Sequence, residues 1–129
     1  MMSWKAWLPL FVIVVMAGCQ ARFSDTRTFT LDPTGEDIQE VYIDGISSDR
    51  TITVTATADA PIDVYFFLED DFDEVTRMIT LGKPTDLVMA EVKGASQINL
   101  SATVPAEKSA VVYFRAADKK ASIESEISG

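Results

Sequence analysis

The chain contains no histidine. The usual general base at neutral pH and the usual zinc ligand are therefore both missing. Its six glycines are scattered singly, which leaves no glycine-rich loop to cradle a phosphate. A serine nucleophile would need a lysine partner, yet no Ser-x-x-Lys occurs, and Glu107-Lys108-Ser109 is the nearest approach. A carboxylate pair can cleave glycosides, but one small domain has no length to build the cleft. These absences argue together against an enzyme. Positive charge is scarce as well, with a formal net charge of −9. Nucleic acid is excluded as a partner, because that binding rests on Lys and Arg neutralising phosphates. A polybasic grip on anionic lipid is excluded for the same reason. Acidity of this kind serves solubility and leaves cationic partners and divalent cations open.

Long apolar runs are limited to one, Leu8 to Cys19, in which Leu10 to Val15 are uninterrupted hydrocarbon. It is too short to span a bilayer, which needs about 20 apolar residues, and it contains Pro9. Lys5 precedes it, small residues Ala17 and Gly18 follow, and the chain's only cysteine, Cys19, comes next. A basic start, an apolar stretch and a small-residue exit describe a secretory signal peptide, here residues 1–18. Secretion with cleavage after Ala21 and a buried structural cysteine are the competing readings of the same stretch.

Met16-Ala17-Gly18-Cys19 resembles the lipobox of bacterial lipoproteins, with Met16 where that family prefers Leu. The resemblance implies cleavage before Cys19, a thioether-linked diacylglycerol on its sulfur, and a further acyl chain such as palmitate on its amine. Two or more buried chains give stable anchoring, at about 0.8 kcal/mol per methylene. Gln20 stands where inner-membrane lipoproteins of the enterobacterial type often carry Asp. That implies a cell-envelope protein of the outer membrane, on its periplasmic or surface face, where the cell has one. With Cys19 lipidated, no thiol is left for a disulfide.

Residues 19–26 read as a short polar tether and 27–129 as one domain. Roughly 110 mature residues suffice for a single core. Alternation of period two starts at Arg27, and Asp32-Pro33-Thr34-Gly35 has the residues of a turn. Val41 and Ile43 face opposite to Glu40, Tyr42 and Asp44. In Thr51 to Ala58, Ile52, Val54, Ala56 and Ala58 line one face and four threonines the other, as in a half-buried antiparallel strand. Asp59-Ala60-Pro61 is expected to turn the chain into a second strand, Ile62 to Glu69. There Ile62, Val64, Phe66 and Leu68 face the core and Tyr65 and Phe67 point the other way. Val75, Met78 and Ile79 share a helical face, so Asp73 to Leu81 is expected as a short helix capped by Asp73 and ended by Gly82. Strands follow at Leu87–Val92 and Gln97–Val104, with a turn at Gly94. Ala110–Ala116 and Ala121–Ile127 are expected to pair as a terminal hairpin across Ala117 to Lys120. The pattern predicts an all-β antiparallel sandwich, jelly-roll-like, of about eight short strands with one short helix.

Ala60-Pro61-Ile62-Asp63-Val64-Tyr65-Phe66-Phe67 is similar to the "small-Pro-x-Asp-Val-Tyr" strand of pre-peptidase C-terminal and GOLD-type sandwiches. Val111-Val112-Tyr113-Phe114-Arg115 resembles their closing strand, though the Asp-x-Asp-Leu pattern of many pre-peptidase members is lacking. The resemblance implies a jelly-roll accessory module without catalytic residues, used for binding, packing or secretion.

Two constellations bear on binding. Glu69 to Glu74 is acidic, and oxygen-rich loops bind calcium. Read as an EF-hand it fails, because Glu74 stands where glycine is needed and Thr80 where a bidentate acid is needed. A looser calcium site at Asp70, Asp71 and Asp73 competes with a solvated acidic loop. Tyr65, Phe67, Phe72 and Tyr113 would, if exposed, form a platform for a glycan or a protein, rimmed by Arg115. The opposing expectation is that this strand is central and covered on both sides, by the short helix among others. Asn99-Leu100-Ser101 matches a glycosylation sequon by chance. The function expected from the sequence is that of a lipid-anchored, non-catalytic envelope module for interaction or scaffolding, contacting partners through Tyr65, Phe67, Tyr113 and Arg115. The alternatives are a glycan- or calcium-binding module and an acidic inhibitor of a cationic envelope enzyme.

Overall fold

The computed structural model describes residues 22–129, so the expected signal segment, 1–18, and Cys19 lie outside the described residues. Six strands and one helix follow in order. They are β1 (Ser24–Leu31), β2 (Ile38–Ile43), β3 (Arg50–Leu68), α1 (Phe72–Leu81), β4 (Val88–Val104), β5 (Ala110–Ala116) and β6 (Ala121–Ser128). A three-residue 3-10 turn, Glu69–Asp71, leads into α1. The chain is an all-β antiparallel sandwich. β1 opens at Ser24, ahead of the boundary at 27, because Ser24 pairs with Ser128. No helix among the described residues is long and apolar enough to cross a membrane.

One long strand organises the sheet. The strand order is β1-β6-β3-β5-β2, with β4 also paired to β3. β6 takes Thr53–Ala58 of β3 and β5 takes Ile62–Leu68, so the two lie end to end along one edge. β4 follows the other edge through both halves. The first half of β3 therefore forms one layer with β6, β1 and the end of β4. Its second half forms the opposite layer with β5, β2 and the start of β4.

The inward residues of both layers meet in one core that includes Leu31, Val41, Ile52, Val54, Val64, Phe66 and Phe114. Phe29 of one layer packs edge-on against Phe114 of the other, ring centroids 5.2 Å apart. Burying one such side chain stabilises the fold by about 1.5–3 kcal/mol. The β-branched alternation of Thr51 to Thr57 suits this half-buried sheet. The Asp32–Gly35 turn forms as expected, with Gly35 N–H donating to the Asp32 carbonyl at 2.9 Å.

Three expectations need correction. Among the described residues the strands number six rather than about eight, because Asp59-Ala60-Pro61 and Gly94 do not end strands. Both sit at a corner where β3 and β4 bend together and their register shifts, between Thr57 and Ile62 and again before Val64. Pro61 is tolerated at that irregularity because no ladder bond requires its missing N–H. Asp59 Oδ1 accepts the Ser122 N–H and Asp63 Oδ1 accepts the Gly94 N–H, each at 2.8 Å. The carboxylates thus replace ladder partners at the corner. Gly94 has φ of 64°, a left-handed conformation that glycine adopts without steric cost.

The terminal hairpin is the second correction. β5 and β6 have nearly the expected bounds, yet they pair with β3 and not with each other. Each finds a partner on a different layer, and the Ala117–Lys120 loop carries the chain between layers.

The third concerns the helix start. α1 begins at Phe72, so Asp73 lies within the first turn, and the N-cap residue Asp71 makes no side-chain capping bond. The preceding 3-10 turn substitutes for a cap, with Phe72 N–H bonded to the Glu69 carbonyl. Gly82 ends the helix as expected, at φ of 69°.

Candidate functional site

The aromatic face is closed. Tyr65, Phe67, Val111 and Tyr113 point away from the main core, and α1 lays Val75 and Ile79 across them to make a second core. Phe67 is 0% exposed, Tyr113 4% and Tyr65 6%. Phe67 lies 6.1 Å from the Tyr113 ring and 6.2 Å from Phe72 by centroid. Tyr65 and Tyr113 meet edge-on at 6.2 Å. Burial raises both phenol pKa values above their ordinary 10.0. Arg115 does not rim an open patch. Its Nη1 donates to the Ile79 carbonyl at 3.2 Å, which ties the end of α1 to β5 and places positive charge at a helix C-terminus. The exposed platform is thus replaced by packing: these residues hold the helix on the sheet.

The acidic segment is put to local use. Asp73 and Glu74 occupy the first turn of α1, where negative charge is favourable. Glu74 pairs with Arg77 at 2.7 Å, and Asp70 receives Lys108 Nζ at 2.8 Å. That contact raises the Lys108 pKa through hydrogen bond and charge. No three His, Cys, Asp or Glu side chains among the described residues converge enough to hold a metal ion, so Asp70, Asp71 and Asp73 do not form a cluster. The Lys108 and Ser109 side chains also part company, since Ser109 Oγ accepts the Gly45 N–H at 3.1 Å.

The opposite outer face of the sandwich is different in kind. Register brings Ser24, Ser128, Thr53 and Ser101 into one row across β1, β6, β3 and β4. The next two rows are Thr26, Glu126, Thr55, Asn99 and Thr28, Glu124, Thr57, Gln97. Every one of these residues is polar, and none is Lys, Arg or aromatic. No helix among the described residues covers them. A shallow groove of about 600 Å³ runs over Thr26, Thr55, Thr57, Gln97, Asn99, Glu124 and Glu126. A second of about 330 Å³ shares Thr57 and Glu124 and reaches Asp59 and Ser122. Sequence reasoning finds the threonine face of β3 and the polar face of β4 but not the shared surface. The even-numbered polar residues of β1 and β6 carry the same signal, and only the register joins them.

No protein-family model matches the chain, and no curated protein matches it in sequence.

Proposed function

We propose that this protein is a lipid-anchored, non-catalytic module of the cell envelope that acts by interaction or scaffolding. The observation that carries the reading is Met16-Ala17-Gly18-Cys19 standing directly ahead of a folded domain whose first described strand opens at Ser24. Five residue steps from Cys19 to Ser24 reach at most about 18 Å. An anchor at Cys19 therefore keeps the sandwich against the bilayer and raises its effective concentration toward neighbours there. The second reading, an acidic inhibitor of a cationic envelope enzyme, is favoured by the net charge of −9, which speeds encounter with positive partners.

Fractionation of cells carrying the native chain and Cys19→Ala tests the anchor. The native protein is expected in the membrane fraction, and the variant is expected to lose that association. Equal partitioning of the two overturns it.

A further inference from the structure

We propose that the uncovered polar face is a docking groove for an extended basic peptide segment of a partner protein, seated along β6. The proposal rests on the interaction reading and names the surface and the partner chemistry. Glu124 and Glu126 lie side by side on this face, and neither forms an ion pair among the described residues. Around them stand hydroxyls and amides that can accept from ammonium or guanidinium groups. With no aromatic side chain in the three rows, the face offers a sugar ring nothing to stack on. With no cation in those rows, its charge has one sign, and the complement is positive.

Spacing selects an extended chain. Residues two apart in an antiparallel strand are about 6.8 Å apart, so the Glu124 and Glu126 carboxylates match basic residues at alternate positions of an extended peptide. The two grooves meet at Thr57 and Glu124, which gives such a peptide a continuous track. A second copy of this chain, itself at −9, has the wrong charge for this face.

The test uses the full-length chain in detergent micelles and two labelled peptides of one composition. One has four alternating arginine–threonine pairs, and the other has four arginines followed by four threonines. Fluorescence anisotropy is expected to show tighter binding of the alternating peptide, weakened roughly ten-fold by Glu124→Gln with Glu126→Gln and weakened again by added salt. A control with the same change of charge elsewhere, Glu36→Gln with Asp118→Asn, is expected to leave affinity within about two-fold. Equal binding of the two peptides, or equal loss in the control, overturns the groove and leaves only a general field. Binding of a neutral oligosaccharide that displaces the peptide also overturns it. Neither peptide result depends on lipid at Cys19, so this proposal and the anchor fail separately.

Discussion

The Asp63 carboxylate accepts the Gly94 N–H at 2.8 Å, joining β3 to β4 where both leave regular pairing. This bond holds the corner that lets one pair of strands serve both layers. Asp63→Ala is expected to lower stability by about 1–2 kcal/mol, as for a hydrogen bond to a charged group. Asp63→Asn keeps an acceptor and is expected to lose less. Urea denaturation measures both, and an unchanged midpoint for Asp63→Ala would remove the corner's role.

Phe67 and Ile79 belong to a core between α1 and the sheet. Phe67→Ala is expected to cost about 3–5 kcal/mol and Ile79→Ala about 2–5 kcal/mol, through lost burial and the cavity left behind. An exposed contact platform would instead give variants of near-native stability, and thermal melting distinguishes the two outcomes.

That closed face was half legible in the sequence. Alternation in Ile62 to Leu68 separates Phe66 from Phe67 correctly, and the spacing of Val75 and Ile79 marks the helix face that covers them. The corner was not legible. Proline and glycine punctuate local structure, so Pro61 and Gly94 read as turns, whereas the pairing of β3 with β4 stops at Thr57 and resumes at Ile62, so the strands run on through a corner. The supposed terminal hairpin misled for a related reason. A four-residue loop between two β-patterns resembles a hairpin, but partner choice for Phe114 and Ile123 is set by the two halves of a strand some fifty to seventy positions earlier. The polar groove depends on the same long-range register and could not be assembled from any one segment.

Alkaline pH is expected to destabilise the fold through Tyr65 and Tyr113. Their folded pKa values are raised by burial, with Asp63 and Glu91 adding to Tyr65. The unfolded chain therefore releases these protons first as pH rises. Stability is full below about pH 10 and falls as pH climbs through the raised values. Tyr65→Phe with Tyr113→Phe removes both phenols while keeping the rings. Melting temperature followed from pH 8 to 11 is expected to drop less steeply in this variant than in the native protein, and parallel curves would contradict the assignment.

Ser125 sits in the main core at 3% exposure, and its Oγ has no hydrogen-bond partner among the described residues. A buried hydroxyl without a partner is costly, so Ser125→Ala is expected to raise stability by up to about 1 kcal/mol. A lower melting temperature for the variant would mean that the hydroxyl has a partner in solution.

Beside Ser125, the edge strand β1 turns Asp25 and Arg27 toward the interior side, paired at 2.8 Å. Inward charges on an edge strand hinder pairing with a second sheet. Asp25→Val with Arg27→Ile is expected to shift the protein toward dimers and larger species in sedimentation velocity runs. A variant that stays at the native mass would show that the pair does not guard this edge.

The intact mass of the N-terminal fragment, taken from protein extracted with detergent from envelopes, addresses the anchor most directly. Residues 1–18 are expected to be gone, and Cys19 is expected to carry a diacylglycerol with a further acyl chain. An unmodified Cys19 thiol on a freely soluble mature chain would contradict it.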